Sequence, residues 1–203
     1  MSRLSSFVLG YHGCDKDTAD QIINRRASLA PSDNKFDWLG PGIYFWEANP
    51  FRALDWARER CREKGAGEPF VIGAVIDLRE CLDLLNRQDQ DLVGTAYSSL
   101  VEFYEVMGKK LPKNKNSMSG GDRDRRARAL DCDVIRHLHS MVENGRSEGP
   151  SFFDTVRGMF TEGDELYPGA AFYRQSHVQI AVRNPDCIRG LFYPPELDDL
   201  IAG

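Results

Sequence analysis

A histidine set between a tyrosine and a glycine, Tyr11-His12-Gly13, closes an apolar run near the start of the chain. A neutral imidazole there can donate one hydrogen bond and accept another. It can therefore hold a ribose hydroxyl or orient a carboxamide, or it can be a buried histidine satisfied by backbone. Gly13 has no side chain, which leaves its peptide edge open to a flat polar ligand. A second run, Gly40-Pro41-Gly42-Ile43-Tyr44-Phe45, sets two glycines beside aromatic residues. The Tyr44 ring can stack on a planar base while its hydroxyl finds a polar partner, or it can serve as a core aromatic. Trp56 follows on a helix and has the same two readings. Together the two runs point to a pocket where two strands lie close.

Late in the chain, His177-Val178-Gln179-Ile180-Ala181-Val182 alternates. Val178, Ile180 and Val182 read as the core face, so His177 and Gln179 share the other. Gln179 can hold a ribose hydroxyl but cannot act as a general base. The nearest carboxylates in sequence are Glu162, Asp164 and Glu165, in an acidic turn. Arg123, Arg125, Arg126 and Arg128 form the densest basic run, but Asp122, Asp124 and Asp131 interleave with it and weaken its field.

These residues need elements to position them. Phe7–Gly13 reads as a strand leading into a turn, and Asp17 as the cap of a short helix. Ile43-Tyr44-Phe45-Trp46 is a short strand. Asn49 and Pro50 start a helix whose stripe is Phe51, Leu54, Ala57 and Cys61, and Gly65-Ala66-Gly67 stops it. Phe70–Leu78 is a strand expected at the centre of a sheet. Cys81–Leu85 is read as the beginning of a helix, and Asp91–Met107 as another. Lys109–Gly121 reads as an exposed hinge, Asp122–Arg128 as a solvated helix start, and Leu130–Val142 as mostly helical, ended by Asn144-Gly145. Ser151–Ala171, with its glycines and interleaved aromatics, reads as an irregular functional loop. A last strand is placed at Ile188–Phe192. The whole is α+β with no internal repeat.

The chain has 203 residues, 41% of them hydrophobic, which suits one domain with a substantial core. A formal net charge of -5 carries no global signal for binding a polyanion. No apolar run approaches the roughly 20 residues of a membrane-spanning helix, and the N-terminal run is too short for an ordinary signal peptide. The expectation is a cytoplasmic protein with no membrane partner. Five scattered cysteines without a CxxC pair, and four histidines, make neither a disulfide framework nor a recognised zinc pattern. The dinucleotide fingerprint, the Walker loop, HExxH and GxSxG are absent.

In its motifs the chain resembles the ADP-ribosyltransferase superfamily, in its diphtheria-toxin and poly-ADP-ribose polymerase branch. Tyr11-His12-Gly13 is similar to the first-strand motif and Gly40–Phe45 to the second. Ala53-Leu54-Asp55-Trp56-Ala57 is similar to the helix that follows, with Trp56 where many relatives carry tyrosine. Gln179 falls where the family's glutamate stands. The resemblance implies one domain over residues 1–203, built on split mixed β-sheets with flanking helices. It implies NAD as the cofactor, anchored by His12, Gly13 and Gly42, with Tyr44 and Trp56 sandwiching the nicotinamide and Gln179 on the ribose. The implied triad is His12, Tyr44 and Gln179, with Glu162 or Glu165 as a substitute carboxylate, because glutamine stabilises a developing oxocarbenium ion less well. The implied reaction is mono-ADP-ribosylation of a macromolecular acceptor, protein or nucleic acid, held by residues 151–175. A toxin-like role, with an antitoxin or other regulatory protein as partner, is a looser implication. Two alternatives stand beside it: an inactive module that binds NAD or ADP-ribose, and an RNA-directed transferase or phosphotransferase.

Overall fold

The computed structural model describes residues 6–115, 127–145 and 152–195. Its backbone is a seven-stranded mixed sheet flanked by helices, an α+β fold. The elements that matter for the site are β1 (Phe7–Asp15), α1 (Lys16–Ile23), β2 (Ile43–Glu47), α2 (Pro50–Lys64), β3 (Pro69–Asp77), β4 (Cys81–Asp83), α3 (Arg87–Val106), the short pair β5 (Asn114–Lys115) and β6 (Ala127–Arg128), α4 (Ala129–Glu143), β7 (Thr155–Phe160), β8 (His177–Val182) and β9 (Ile188–Phe192). The order across the sheet is β4-β7-β8-β2-β1-β3-β9, and only β4 and β7 run parallel.

The two halves of the sheet meet at a narrow seam. β1 and β2 pair at Gly10–Glu47 and Tyr11–Trp46, whereas β1 pairs with β3 along its full length. α2 begins at Pro50 behind an Asn49 side chain that caps the Arg52 N–H, and ends at Gly65 in the left-handed conformation. It packs Ala53 and Leu54 on Tyr11, Trp46 and Val71. On the same face, α3 and α4 bury Leu100, Val134, Ile135 and Leu138 against Val156, Phe160 and Ala181. The opposite face is closed by α1 and by the segment around Leu29.

Several expectations are corrected. β1 does not turn at Gly13 but runs to Asp15, which caps α1 in place of Asp17. β3 lies one strand from the sheet edge, not at its centre. Cys81–Asp83 is a strand, because it pairs with β7; its short apolar run has no helical period long enough to decide between the two. Part of the supposed loop 151–175 is β7, an internal strand whose Gly158 hid its periodicity. β8 has both faces covered: His177 and Ala181 are as buried as Ile180 and Val182. Residues 116–121 of the hinge and 122–126 of the solvated helix start lie outside the described residues; within them, Asn114–Lys115 and Ala127–Arg128 are extended and pair with each other. No described helix is long and apolar enough to cross a membrane.

Candidate functional site

His12 sits at the seam. Beyond Tyr11–Trp46 the β1–β2 ladder parts, and the His12 Nδ1–H donates to the Tyr44 carbonyl at 2.9 Å. Burial holds its pKa below the ordinary value, so the ring is neutral near pH 7. The backbone-satisfied histidine is therefore what the structure contains at this nitrogen. Strand alternation sends the His12 ring to the face of Phe45, whose ring lies 5.8 Å away. Tyr44, Trp46 and Gln179 share the other face, because Trp46 pairs with both Tyr11 and Gln179.

Tyr44 is anchored locally. Its hydroxyl donates to the Gly40 carbonyl at 2.8 Å and accepts from the Leu39 N–H at 3.1 Å. Burial pushes its phenol far above the usual value, so it stays a neutral donor. The bonds clamp a turn that Gly40 makes at φ +77, where a side chain would be strained. Gly42 exchanges both backbone hydrogen bonds with Ser32. Gly13 faces α2, and a Cβ there would come within 2.2 Å of the Ala53 carbonyl oxygen. Its missing side chain brings helix and strand together, so on that side it faces protein.

Gln179 is held from across the sheet. The Trp38 indole N–H donates to its Oε1 at 2.7 Å. The indole lies over Gly158, where a Cβ would meet its Cη2 at 2.8 Å. Gly158 is the residue paired with Gln179, so one small residue lets Trp38 reach its partner.

Beside Gln179 lies a buried polar cluster that the sequence motifs do not reveal. Arg52 on α2 forms an ion pair with Glu162, Nη2 to Oε2 at 2.8 Å, and both side chains are buried. His177 stands 3.8 Å from the same carboxylate oxygen, stacks on Phe160 at 5.5 Å, and meets the Trp46 ring at 6.2 Å. Its Nδ1 must carry the proton to bond the Gln175 carbonyl at 2.6 Å. Burial lowers its pKa, so Nε2 is left as a bare acceptor. That nitrogen, the Trp46 indole N–H and the Arg52 Nη1 have no hydrogen-bond partner among the described residues, although all three are buried. Unpaired buried groups of this kind each cost about 1–3 kcal/mol, and a water or a polar ligand is what would satisfy them. Trp56, 40% exposed, extends the aromatic wall outward from Trp46, ring centroids 5.9 Å apart.

The structure separates the two substitute carboxylates. Glu162 lies in this cluster. Glu165 lies farther out, in the loop after β7, where it accepts the Gly169 N–H at 2.8 Å and its backbone bridges Tyr173. Arg157, within the 151–175 segment expected to hold an acceptor, is engaged on the far face with Glu47 and Asp83. Leu166, Tyr167 and Phe172 of the same loop are exposed. Of the missed residues, only His177 carried a signal, through its alternation with Gln179. Arg52 lies outside the stripe Phe51, Leu54, Ala57 and Cys61, and its burial follows only from the placement of α2.

No family model and no solved structure matches the chain. Among curated proteins, uncharacterized protein MJ0359 of Methanocaldococcus jannaschii is similar, with 25% identity over 197 residues that cover 89% of this chain and 84% of that protein.

Proposed function

We propose that this chain is an NAD-dependent mono-ADP-ribosyltransferase acting on a macromolecular acceptor. The observation that carries the reading is the unpaired set beside Gln179: two donors, Trp46 Nε1 and Arg52 Nη1, and one acceptor, His177 Nε2. A primary carboxamide is the complement of that set, because its oxygen accepts and its NH2 donates. Nicotinamide carries such a group on a flat ring, and Trp46 and Trp56 offer it aromatic faces. A mixed sheet joined at its middle by two residue pairs supports the split-sheet fold that the motif resemblance implies.

NAD supplies the ADP-ribose group: the bond between ribose and nicotinamide breaks as a nucleophile on the acceptor bonds the same carbon and gives up its proton. The chain's own residues bind and orient. Gln179, fixed by Trp38, presents its amide to a ribose hydroxyl. Glu162 places a carboxylate on the same face, its charge balanced by Arg52. Arg52 holds that carboxylate in place. The exposed Leu166, Tyr167 and Phe172 give the loop after β7 an apolar surface for an acceptor.

Incubation of the purified protein with NAD and a cell extract tests this. Nicotinamide release and a labelled macromolecule are the expected result, with protease or RNase sensitivity of the label giving the acceptor class. Gln179→Ala lowers turnover at least about tenfold, the lower end of what one positioned polar group contributes. Saturable NAD binding with no nicotinamide release overturns the transferase and leaves a binding module, the second reading, which the glutamine at 179 favours.

A further inference from the structure

Away from that cluster, a cavity of about 370 Å³ opens between α3 and α4. Its size falls within the range of small-molecule sites. Leu84, Val93, Tyr97, Val134 and Ile135 give it apolar walls, and the Trp38 indole closes one side. Gly94 lines it from the interior of α3, where glycine weakens a helix relative to alanine. Among the described residues, no atom outside its own stretch of helix lies within 4 Å of where its Cβ would stand. Close packing therefore does not explain the glycine; its effect is to widen the cavity.

The charged groups of the lining are paired. Arg128 and Asp131 stand one turn apart at the start of α4, Nη1 to Oδ2 at 3.7 Å. The Arg128 guanidinium lies 4.9 Å from the Trp38 ring and 4.0 Å from Phe160. Asp131 accepts from Asn114 through Oδ1 at 2.7 Å, and a carboxylate has capacity for further donors. An occupant that suits both walls must be apolar and flat in its body and must carry a donor and an acceptor along one edge. Nucleobases have that form, with ring nitrogens and exocyclic groups to meet Asp131 and Arg128.

We propose that this cavity binds a planar heteroaromatic ring of nucleobase size, either as a free nucleoside or as a base presented by a nucleotide chain, and that Trp38 transmits its occupancy to Gln179. The route is one side chain long. The ring of Trp38 is a wall of the cavity, and its N–H holds Gln179 on the far side. The proposal does not depend on any reaction at Gln179.

Methyl NMR on the full chain tests it, with guanosine and adenosine as probes, cyclohexanol as an apolar control and a short single-stranded oligoribonucleotide as the chain-borne source. Saturable shifts at the methyls of Val93, Val134 and Ile135 at roughly millimolar nucleoside are expected, with little response to cyclohexanol. The Gln179 side-chain amide shifts in parallel. Tighter binding of the oligonucleotide than of either nucleoside identifies the base as chain-borne; the reverse identifies a free nucleoside. Gly94→Leu fills the cavity with a good helix former and abolishes the methyl shifts. Trp38→Phe keeps an aromatic wall but removes the N–H, so the methyls still respond and the Gln179 amide does not. Absence of saturable shifts, an equal response to cyclohexanol, or unchanged shifts in Gly94→Leu overturns the site. A Gln179 response that survives Trp38→Phe overturns the coupling.

Discussion

The seam between β1 and β2 and the buried cluster beneath α2 are neighbours on one sheet, yet they treat their polar groups in opposite ways. At the seam, His12 Nδ1 bonds the Tyr44 carbonyl, the Tyr44 hydroxyl is shared by Leu39 and Gly40, and Gly42 is paired with Ser32. In the cluster, Trp46, Arg52 and His177 each keep a buried nitrogen without a partner among the described residues. The seam is built to be satisfied, and so it fixes the backbone. The cluster leaves hydrogen-bonding capacity unspent. The motif residues of the seam and the unpaired buried groups are therefore different sets in this molecule.

The comparison breaks most sharply at the Arg52–Glu162 pair. Glu162→Gln removes one charge from a buried pair and leaves the other uncompensated, so a loss of about 3–5 kcal/mol is expected in urea denaturation. Replacing both partners, Arg52→Met with Glu162→Leu, recovers most of it, because no buried charge remains. If Glu162→Gln costs no more than a surface substitution, the pair is open to solvent and the cluster is not a closed site.

Acid acts on a different buried group. His139 lies under the Gly40 turn with neither ring nitrogen partnered among the described residues. Burial, with Arg183 and Arg136 nearby, lowers its pKa from 6.5 to about 3. The unfolded chain takes up this proton as pH falls through 6.5, and the folded chain does so only near 3. Stability contributed by the neutral ring is thus present above pH 6.5 and falls across that window, by up to a few kcal/mol. His12 and His177, also lowered, add in the same direction. Denaturation midpoints measured from pH 7.5 to 4 check this, and His139→Leu flattens the curve.

The smallest effect belongs to the seam. Tyr44→Phe leaves the Gly40 carbonyl and the Leu39 N–H without their shared partner, at a cost of about 1 kcal/mol. Because the hydroxyl holds the turn, the variant is expected to change stability while leaving the affinity for a nicotinamide analogue within about twofold, roughly 0.4 kcal/mol. A large loss of affinity at unchanged stability would instead place the hydroxyl on the ligand.

Local signals located several elements well. The Asn49-Pro50 start and glycine stop of α2, the span of β8 and the Asn144-Gly145 end of α4 lie where the local signals put them. Each depends on residues close in sequence. β4 and β7 were missed because their identity rests on pairing with each other and with β8, and a short apolar run with a glycine in it carries little of that. The site divides along the same line. His12, Tyr44, Trp56 and Gln179 stand out by type and setting. The engagement of Tyr44 in its own turn, the covering of Gly13 by α2 and the choice of Glu162 over Glu165 do not.

By itself, then, the sequence determined an α+β chain with His12, Tyr44 and Gln179 on separate strands and a helix starting at Asn49. Tertiary structure alone decided which of their polar atoms are satisfied. Arg52, Glu162 and His177 come from α2, the loop after β7 and the start of β8, and only the sheet order brings them to one carboxylate. The reason is physical: secondary structure follows from neighbours along the chain, whereas the pairing of a buried charge is settled by whatever else the fold removes from water beside it.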